Sequence, residues 1–359
     1  MIYGVILAGG RGERFWPLSR IEKPKQFLRL TSDKMMLEET IDRVLPLISR
    51  DHMRVVTGED MRPIILDHCA GIADSQIIVE PVGRNTAPAI GLAAVHLLHE
   101  DPEAVMVVLS ADHLIRPREK LLKILRVGAE IASVEDSLIT IGIVPTRPET
   151  GYGYIKLGDL YKMESETAIY YVSGFTEKPR AAVALDYYYS GQYLWNSGMF
   201  IWSAQSILDA IRKCEPELGG LLDEYRDHIG SEGEMEARNE FYDKVTGISV
   251  DFAVLEKAAN VLTIKADIVW DDVGDWRSLE RYKKVDSDRN IVVGEVVSLD
   301  SYETTIYNDT DGLVATLGIS DLIIVRANGI TLVAHKTRAQ DIKKLLAEIN
   351  EREEYRKYL

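Results

Sequence analysis

Hydrophobic positions in the first 145 residues follow two alternating patterns. Short, continuous, β-branched runs at Val5–Leu7, Arg54–Thr57, Ile77–Val79, Val105–Leu109 and Leu138–Ile143 predict strands with no wet face, as in a sheet covered by helices on both sides. Between them, Met36–Ile48, Glu59–Cys69, Pro88–His99 and Arg118–Ala132 carry apolar residues at helical spacing. The alternation predicts an α/β protein with a Rossmann-like, doubly wound sheet, whose ligands collect beyond the carboxyl ends of the strands.

After Gly151 the alternation loosens. GYGYIKL (151–157) and IYYVSGFTEKP (169–179) read as strands of a more mixed region, Ala181–Tyr189 as a helix, and Gln205 to about Ala258 as charged helical sequence. From Asn290 to about Ala334, short strands punctuated by SLDS, NDTDG and RANG predict a small β unit, closed by an amphipathic helix over Lys336–Arg356. A boundary near residue 285 is expected, dividing residues 1–285 from residues 286–359.

Composition narrows the partners. The 359 residues carry 42 Lys and Arg against 57 Asp and Glu, a formal net charge of −15. Nucleic acid and anionic membrane are therefore not expected as partners, and any basic cluster is a local feature. Two cysteines, Cys69 and Cys214, exclude a disulfide framework and a cysteine-rich zinc site and point to a reduced, cytoplasmic setting. The opening MIYGVILAGG lacks the basic region and apolar length of a signal peptide, and no stretch approaches the roughly 18 apolar residues of a membrane span. A soluble protein is expected.

One stretch stands apart from the core patterns. VILAGGRGERFWPLSRIEKPKQFL (5–28) starts as a buried strand and breaks into glycines, arginines, prolines and lysines. Phe15 stands where a dinucleotide-binding fingerprint has its third glycine, Pro17 obstructs the helix that should follow, and the G-x-x-x-x-G-K-[ST] pattern is missing. What remains is a strand delivering glycine amides that can wrap anionic oxygens, with Arg11, Arg14, Lys23 and Lys25 supplying charge. The competing reading is a mobile basic loop.

LAGGRGERFWPLSR followed by KPKQFL resembles the signature of the sugar-1-phosphate nucleotidylyltransferases, in the form found in mannose-1-phosphate guanylyltransferases. The resemblance continues in family order through EPVGRNTAPAI (80–90), LSADH (109–113), GYGYI (151–155), FTEKP (175–179), WNSGMFIW (195–202) and WDDVGDW (270–276). It implies the nucleotide-diphospho-sugar transferase type of mixed sheet and the reaction of GTP with mannose 1-phosphate to give GDP-mannose and pyrophosphate. Such chemistry needs no general base, because the attacking phosphate oxygen is already ionised. It needs Arg, Lys and a divalent metal to hold two repelling anions in line.

By resemblance, Leu7, Ala8, Gly9, Gly10, Gly12 and Arg14 hold the nucleotide and its triphosphate, with Arg14 and Lys25 at the reacting centre; Lys23 is the alternative lysine. Asp112 and Asp272 are the implied ligands of Mg²⁺ or another divalent cation, with Asp271 and Asp275 as possible substitutes. Read alone, Asp112 is equally a turn or cap residue and Asp272 a turn before a helix starting near Asp275. Glu80 is the candidate reader of guanine, since a carboxylate accepts from both N1–H and the N2 amine. Asn85 and Thr86 read either as nucleoside contacts or as helix caps ahead of Pro88. For the sugar phosphate the candidates are Glu177 and Lys178, with Gly153 permitting close approach and Asn196 bonding hydroxyls.

The tail also resembles that of single-activity relatives, because residues 286–359 are too few for the isomerase domain that some of them carry. A β-helical tail, left-handed by analogy, and a homodimer are expected. The rival readings are another nucleoside triphosphate:hexose-1-phosphate nucleotidylyltransferase, a glycosyltransferase, and a noncatalytic nucleotide-sugar sensor.

Overall fold

The computed structural model describes residues 1–164 and 166–359. They form two compact units. Met1–Gly9, Thr40–Ala111 and Ile115–Trp270 make the first, and Gly10–Glu39, Asp112–Leu114 and Asp271–Leu359 the second.

The first unit is built on a nine-stranded mixed sheet. Its spatial order is Ile77–Glu80, Met53–Gly58, Ile2–Leu7, Val105–Ser110, Tyr193–Ser203, Leu138–Ile143, Val261–Ala266, Thr167–Thr176 and Tyr154–Glu164. All five strands expected from the first 145 residues are present. Two others carry little signal in the sequence. Tyr193–Ser203 runs antiparallel between Val105–Ser110 and Leu138–Ile143, and Gly198 at φ 68° breaks its pattern. Val261–Ala266 is six residues long and runs parallel to Leu138–Ile143.

Ile2–Leu7 pairs in parallel with both Met53–Gly58 and Val105–Ser110, and Gly58 aligns with Glu80 on the next strand. Parallel pairing sends these carboxyl ends to one edge. The core includes Val5, Val56, Ile78, Met106 and Val108 from the strands, with Ala89, Ile90, Ala93 and Leu97 from the helix Thr86–Glu100. The expected helical stretch after residue 205 resolves into Ala204–Cys214, Pro216–Arg226, Glu234–Lys244 and a π turn at Asp251–Leu255.

The second unit has the expected short strands. Ile291–Val293, Thr305–Asn308 and Leu322–Ala327 lie parallel in successive coils, and Ile330–His335 closes the group antiparallel. Val296–Tyr302 pairs in parallel with Val314–Ser320. The expected terminal helix over Lys336–Arg356 is not continuous. A 3₁₀ turn at Lys336–Asp341 leads into the α-helix Ile342–Glu351, and Arg352, with φ −101° and ψ 105°, separates it from a second 3₁₀ turn at Glu353–Tyr358.

The core of this unit contains Phe15, Trp16, Leu18 and Leu28 together with Trp276, Leu279, Ile323, Val325 and Leu332. The apolar half of the signature stretch is thus a structural element. Phe15, in the place of the missing third glycine, is fully buried with its ring centroid 5.2 Å from that of Trp276. Burying such a side chain is worth about 1.5–3 kcal/mol. Among the described residues no helix is long and apolar enough to cross a membrane.

Candidate active site

The strand Ile2–Leu7 stops donating to the sheet just past its end. Ala8 N–H still donates to the Val56 carbonyl at 2.8 Å, and the Leu7 and Ala8 carbonyls accept from Ala111 N–H and the Thr57 hydroxyl. Leu7 and Ala8 are therefore tied into the sheet by their own backbones. Beyond them Gly9 and Gly10 are exposed, and a Cβ built on Gly10 would meet nothing within 4 Å. Among the described residues no packing constraint calls for a glycine there, and its backbone is open to approach.

In the second unit, Gly12 has φ 63°, and a Cβ on it would lie 2.2 Å from Lys25 Cβ and 3.0 Å from Lys25 N. Glycine at this point lets the KPK segment fold tightly against the turn. The two lysines of that segment separate clearly. Lys23 is exposed in a turn in which Arg20 and Lys23 exchange backbone hydrogen bonds. Lys25 is 5% exposed, and its Nζ donates to Asp112 Oδ2 and to the Asp272 carbonyl, each at 2.6 Å. Arg14 is half-buried and its Nε is buried with no hydrogen-bond partner. An unpaired buried donor is costly, and an anionic oxygen would satisfy it.

Burial opposes ionisation of Asp112, yet the adjacent Lys25 ammonium, with His113 and the hydrogen bond from Lys25, holds its carboxyl below the ordinary carboxylate range. Its side chain stays one-third exposed, at 32%. Asp272 is also partly exposed, and Asp271 and Asp275 beside it have identifiable structural partners. Asp271 is buried, bonds Val273 N–H and pairs with Arg281. Asp275 caps the 3₁₀ turn Trp276–Arg281 by accepting from Arg277 N–H, pairs with the Arg277 guanidinium and accepts from Gln340. Among the described residues no group of three or more His, Cys, Asp or Glu could cage a metal. Asp112 and Asp272 fit the other arrangement, in which one or two carboxylates hold Mg²⁺ and substrate phosphates and water complete its shell.

In the first unit, Glu80 ends its strand and is 6% exposed. Tyr242 Oη donates to its Oε1 at 3.0 Å, and a Cβ on Gly9 would lie 3.4 Å from its Oε2. Burial pushes the Glu80 carboxyl up to about 7, against the lowering effect of the Tyr242 hydrogen bond. Asn85 and Thr86 both do structural work. Asn85, at φ 71° and ψ −173°, accepts from Thr86 N–H as the N-cap of Thr86–Glu100, and the Thr86 hydroxyl accepts from Val250 N–H at 2.9 Å. That backbone region is one almost reserved for glycine, so the cap carries strain.

The sugar candidates also converge in the first unit. Glu177 pairs with Lys178, which stands at φ 47°. A Cβ on Gly153 would come 2.5 Å from Glu177 Oε2 and 3.3 Å from Asn196 Cβ, so this glycine makes room for the carboxylate itself. Asn196 Oδ1 accepts from the Thr140 hydroxyl and Gly198 N–H, and its Nδ2 donates to Asp251 Oδ1 at 2.7 Å. Burial and then the neighbouring Glu177 charge push the Asp251 carboxyl up to about 6. The sequence singles out neither Asp251 nor Tyr242. An aspartate before the apolar run FAVL reads as a helix cap, and Tyr242 sits in a charged helix with no motif around it.

A family model described as nucleotidyl transferase matches residues 3–289, and one described as MannoseP isomerase/GMP-like beta-helix domain matches residues 294–349. A mannose-1-phosphate guanylyltransferase of Salmonella typhimurium is 37% identical over 366 residues, which cover 99% of this chain and 74% of the relative. Among solved structures, one described as mannose-1-phosphate geranyltransferase from Thermus thermophilus matches with a TM-score of 0.86 and 35% identity, covering 97% of this chain and 99% of that one. A mannose-6-phosphate isomerase from Helicobacter pylori, at 23% identity, TM-score 0.61, and coverage of 75% of this chain and 99% of its own, shares the fold.

Proposed function

The chain belongs to the nucleotidyl transferase family and within it to the mannose-1-phosphate guanylyltransferases, and from that membership we propose that it converts GTP and mannose 1-phosphate into GDP-mannose and pyrophosphate. An oxygen of the sugar phosphate forms a bond to the α-phosphorus of GTP. The bond from that phosphorus to the bridging oxygen of the β-phosphate breaks, and pyrophosphate leaves with the electron pair. Because the nucleophile is already an anion, no side chain has to take a proton.

The observation that carries the reading is the buried Lys25 ammonium, fixed between the Asp112 carboxylate and the Asp272 carbonyl. A cation held this way has already met its desolvation and ordering costs, so it can neutralise charge gained in the transition state without rearranging. Arg14 directs its unpaired donor at the phosphates, and the exposed glycines 9 and 10 let phosphate oxygens approach the backbone. Asp112 and Asp272 hold Mg²⁺, which when bound supplies further charge neutralisation at the phosphates. Glu80 accepts from guanine N1–H and N2, Asn85 and Thr86 shape the loop beside it, and Glu177, Lys178, Asn196 and Gly153 receive mannose 1-phosphate.

Residues 1–285 act as the catalytic domain in this proposal and residues 286–359 as the pairing domain of a cytoplasmic homodimer. Val297, Leu299 and Leu317 support the pairing: each is more than half exposed on a parallel strand pair that aligns Leu299 with Leu317. Pyrophosphate release is the decisive assay. Purified protein with GTP, Mg²⁺ and mannose 1-phosphate should release pyrophosphate, and ATP, UTP or dTTP should substitute poorly. No release with any combination of four nucleotides and three hexose 1-phosphates would overturn the proposal.

A further inference from the structure

Glu80 can read guanine only as a carboxylate. Its environment works against that state, because burial raises the carboxyl and, among the described residues, no cation acts on it. The titratable group that does act on it is Tyr242, which is 1% exposed and donates to Oε1 at 3.0 Å. A carboxylate oxygen has two lone pairs, so Oε1 can accept from Tyr242 and from a base at once, while Oε2 faces Gly9.

Tyr242 is itself rigidly placed. It lies near the end of the helix Glu234–Lys244, and its carbonyl accepts from Arg84 Nε at 3.1 Å, tying the helix to the loop that follows Glu80. Its ring meets Phe241 edge to face, with centroids 5.1 Å apart. Arg84 also packs closely at Gly247, where a Cβ would lie 3.2 Å from its carbonyl oxygen. The helix that carries the hydroxyl is therefore anchored beside Glu80. Burial raises the Tyr242 hydroxyl well above its ordinary range, with Glu80 and Tyr225 adding to the rise and Arg238 opposing it, so it remains a proton donor throughout the working pH range.

We propose that Tyr242 is a positioning residue for nucleotide selection, holding Glu80 ionised and oriented so that both carboxylate oxygens can accept from the guanine edge. The inference rests on the reading of Glu80 as the guanine acceptor. Tyr242 touches no substrate in this scheme. Its effect is felt through Glu80 alone, which separates it from a residue that merely packs.

The test is the pH profile of the GTP KM for wild type and Tyr242→Phe, measured with the Mg²⁺-loaded enzyme from pH 5.5 to 9. Comparing the two proteins at each pH cancels titration of the nucleotide. Phe keeps the ring and removes the hydrogen bond that favours the carboxylate. The midpoint should move up by about one pH unit, so the KM should rise up to roughly tenfold near neutrality and return towards the wild-type value at high pH. In a Glu80→Gln background the same substitution should leave the ratio of GTP to ATP use unchanged. A KM raised equally at every pH, or an unchanged profile, would overturn the role of Tyr242. If Glu80→Gln alone leaves nucleotide preference intact, the guanine reading fails instead, and the two failures are distinguishable.

Discussion

Lys25 and Asp112 form an asymmetric ion pair: at 2.6 Å, the lysine side chain is 6% exposed and the carboxylate 32%. The cation is locked in, while the anion keeps access to solvent and to whatever binds there. Lys25→Ala should therefore lower kcat by roughly 10²–10³-fold with a much smaller change in GTP KM, because the charge matters most as the α-phosphorus is attacked. Steady-state kinetics with both substrates checks this, and an equal loss of affinity and rate would count against the role. The substitution should also show in acid. In the wild type the lowered Asp112 carboxyl contributes stability above the ordinary carboxylate value that is lost as pH falls through its folded value. Without Lys25, burial of Asp112 is opposed only by His113 and a backbone hydrogen bond, so acid unfolding should begin at a higher pH.

The three aspartates of WDDVGDW should separate by phenotype. Asp275→Ala removes a helix cap and a pair of side-chain partners and should cost on the order of 1 kcal/mol in stability, read as a lower Tm. Asp272→Asn should instead raise the Mg²⁺ concentration needed for half-maximal pyrophosphate release. A metal dependence altered by Asp275→Ala but not by Asp272→Asn would reassign the ligand.

Two glycines should respond differently to the same added methyl. At Gly12 the clash is with the Cβ and backbone nitrogen of buried Lys25, at a positive φ, so nothing nearby can yield. Gly12→Ala should abolish activity and destabilise the fold. At Gly153 the clash is with the free end of the Glu177 side chain, which can rotate away. Gly153→Ala should fold normally by circular dichroism and raise the KM for mannose 1-phosphate while sparing that for GTP.

Glu80→Gln should trade selectivity for stability. The folded carboxyl titrates near 7 against an ordinary 4.5, so its contribution is fully present below pH 4.5 and is lost as pH rises through about 7. Glutamine carries no charge to desolvate and still accepts from Tyr242. Above pH 7 the variant should be more stable by on the order of 2–3 kcal/mol, with the gain disappearing below pH 4.5. Thermal melts across pH 4 to 8 check the sign, and a Tm lower than wild type at pH 8 would show that the carboxylate is not strained by burial.

Pairing through the tail predicts that Leu299→Lys converts a dimer to a monomer in sedimentation velocity while leaving Tm close to that of the wild type. A charge at that exposed position costs little in the monomer and much in an apolar interface.

Sequence pattern was enough to locate the parallel strands around the glycine turn, because a strand buried on both faces is apolar throughout its length. It was not enough for Tyr193–Ser203, whose central place in the sheet depends on antiparallel insertion between two distant strands. The same limit applies to the site. Gly12, Lys25, Asp112 and Glu80 lie in dense local motifs. Tyr242 and Asp251 matter through partners far away in the chain, Glu80 for one and Asn196 for the other, and no local spacing encodes such a partnership. Phe15, Trp16 and Leu18 showed the opposite effect: in a glycine-rich loop they look like part of the binding turn, yet their job is to fill a core.

That core has a temporal consequence. Phe15, Trp16 and Leu18 are synthesised well before the strands that enclose them, Leu322–Ala327 and Ile330–His335. The glycine-rich turn is therefore synthesised early and anchored late. Nascent chains stalled before residue 320 should expose Phe15, Trp16 and Leu18 to chaperones and proteases.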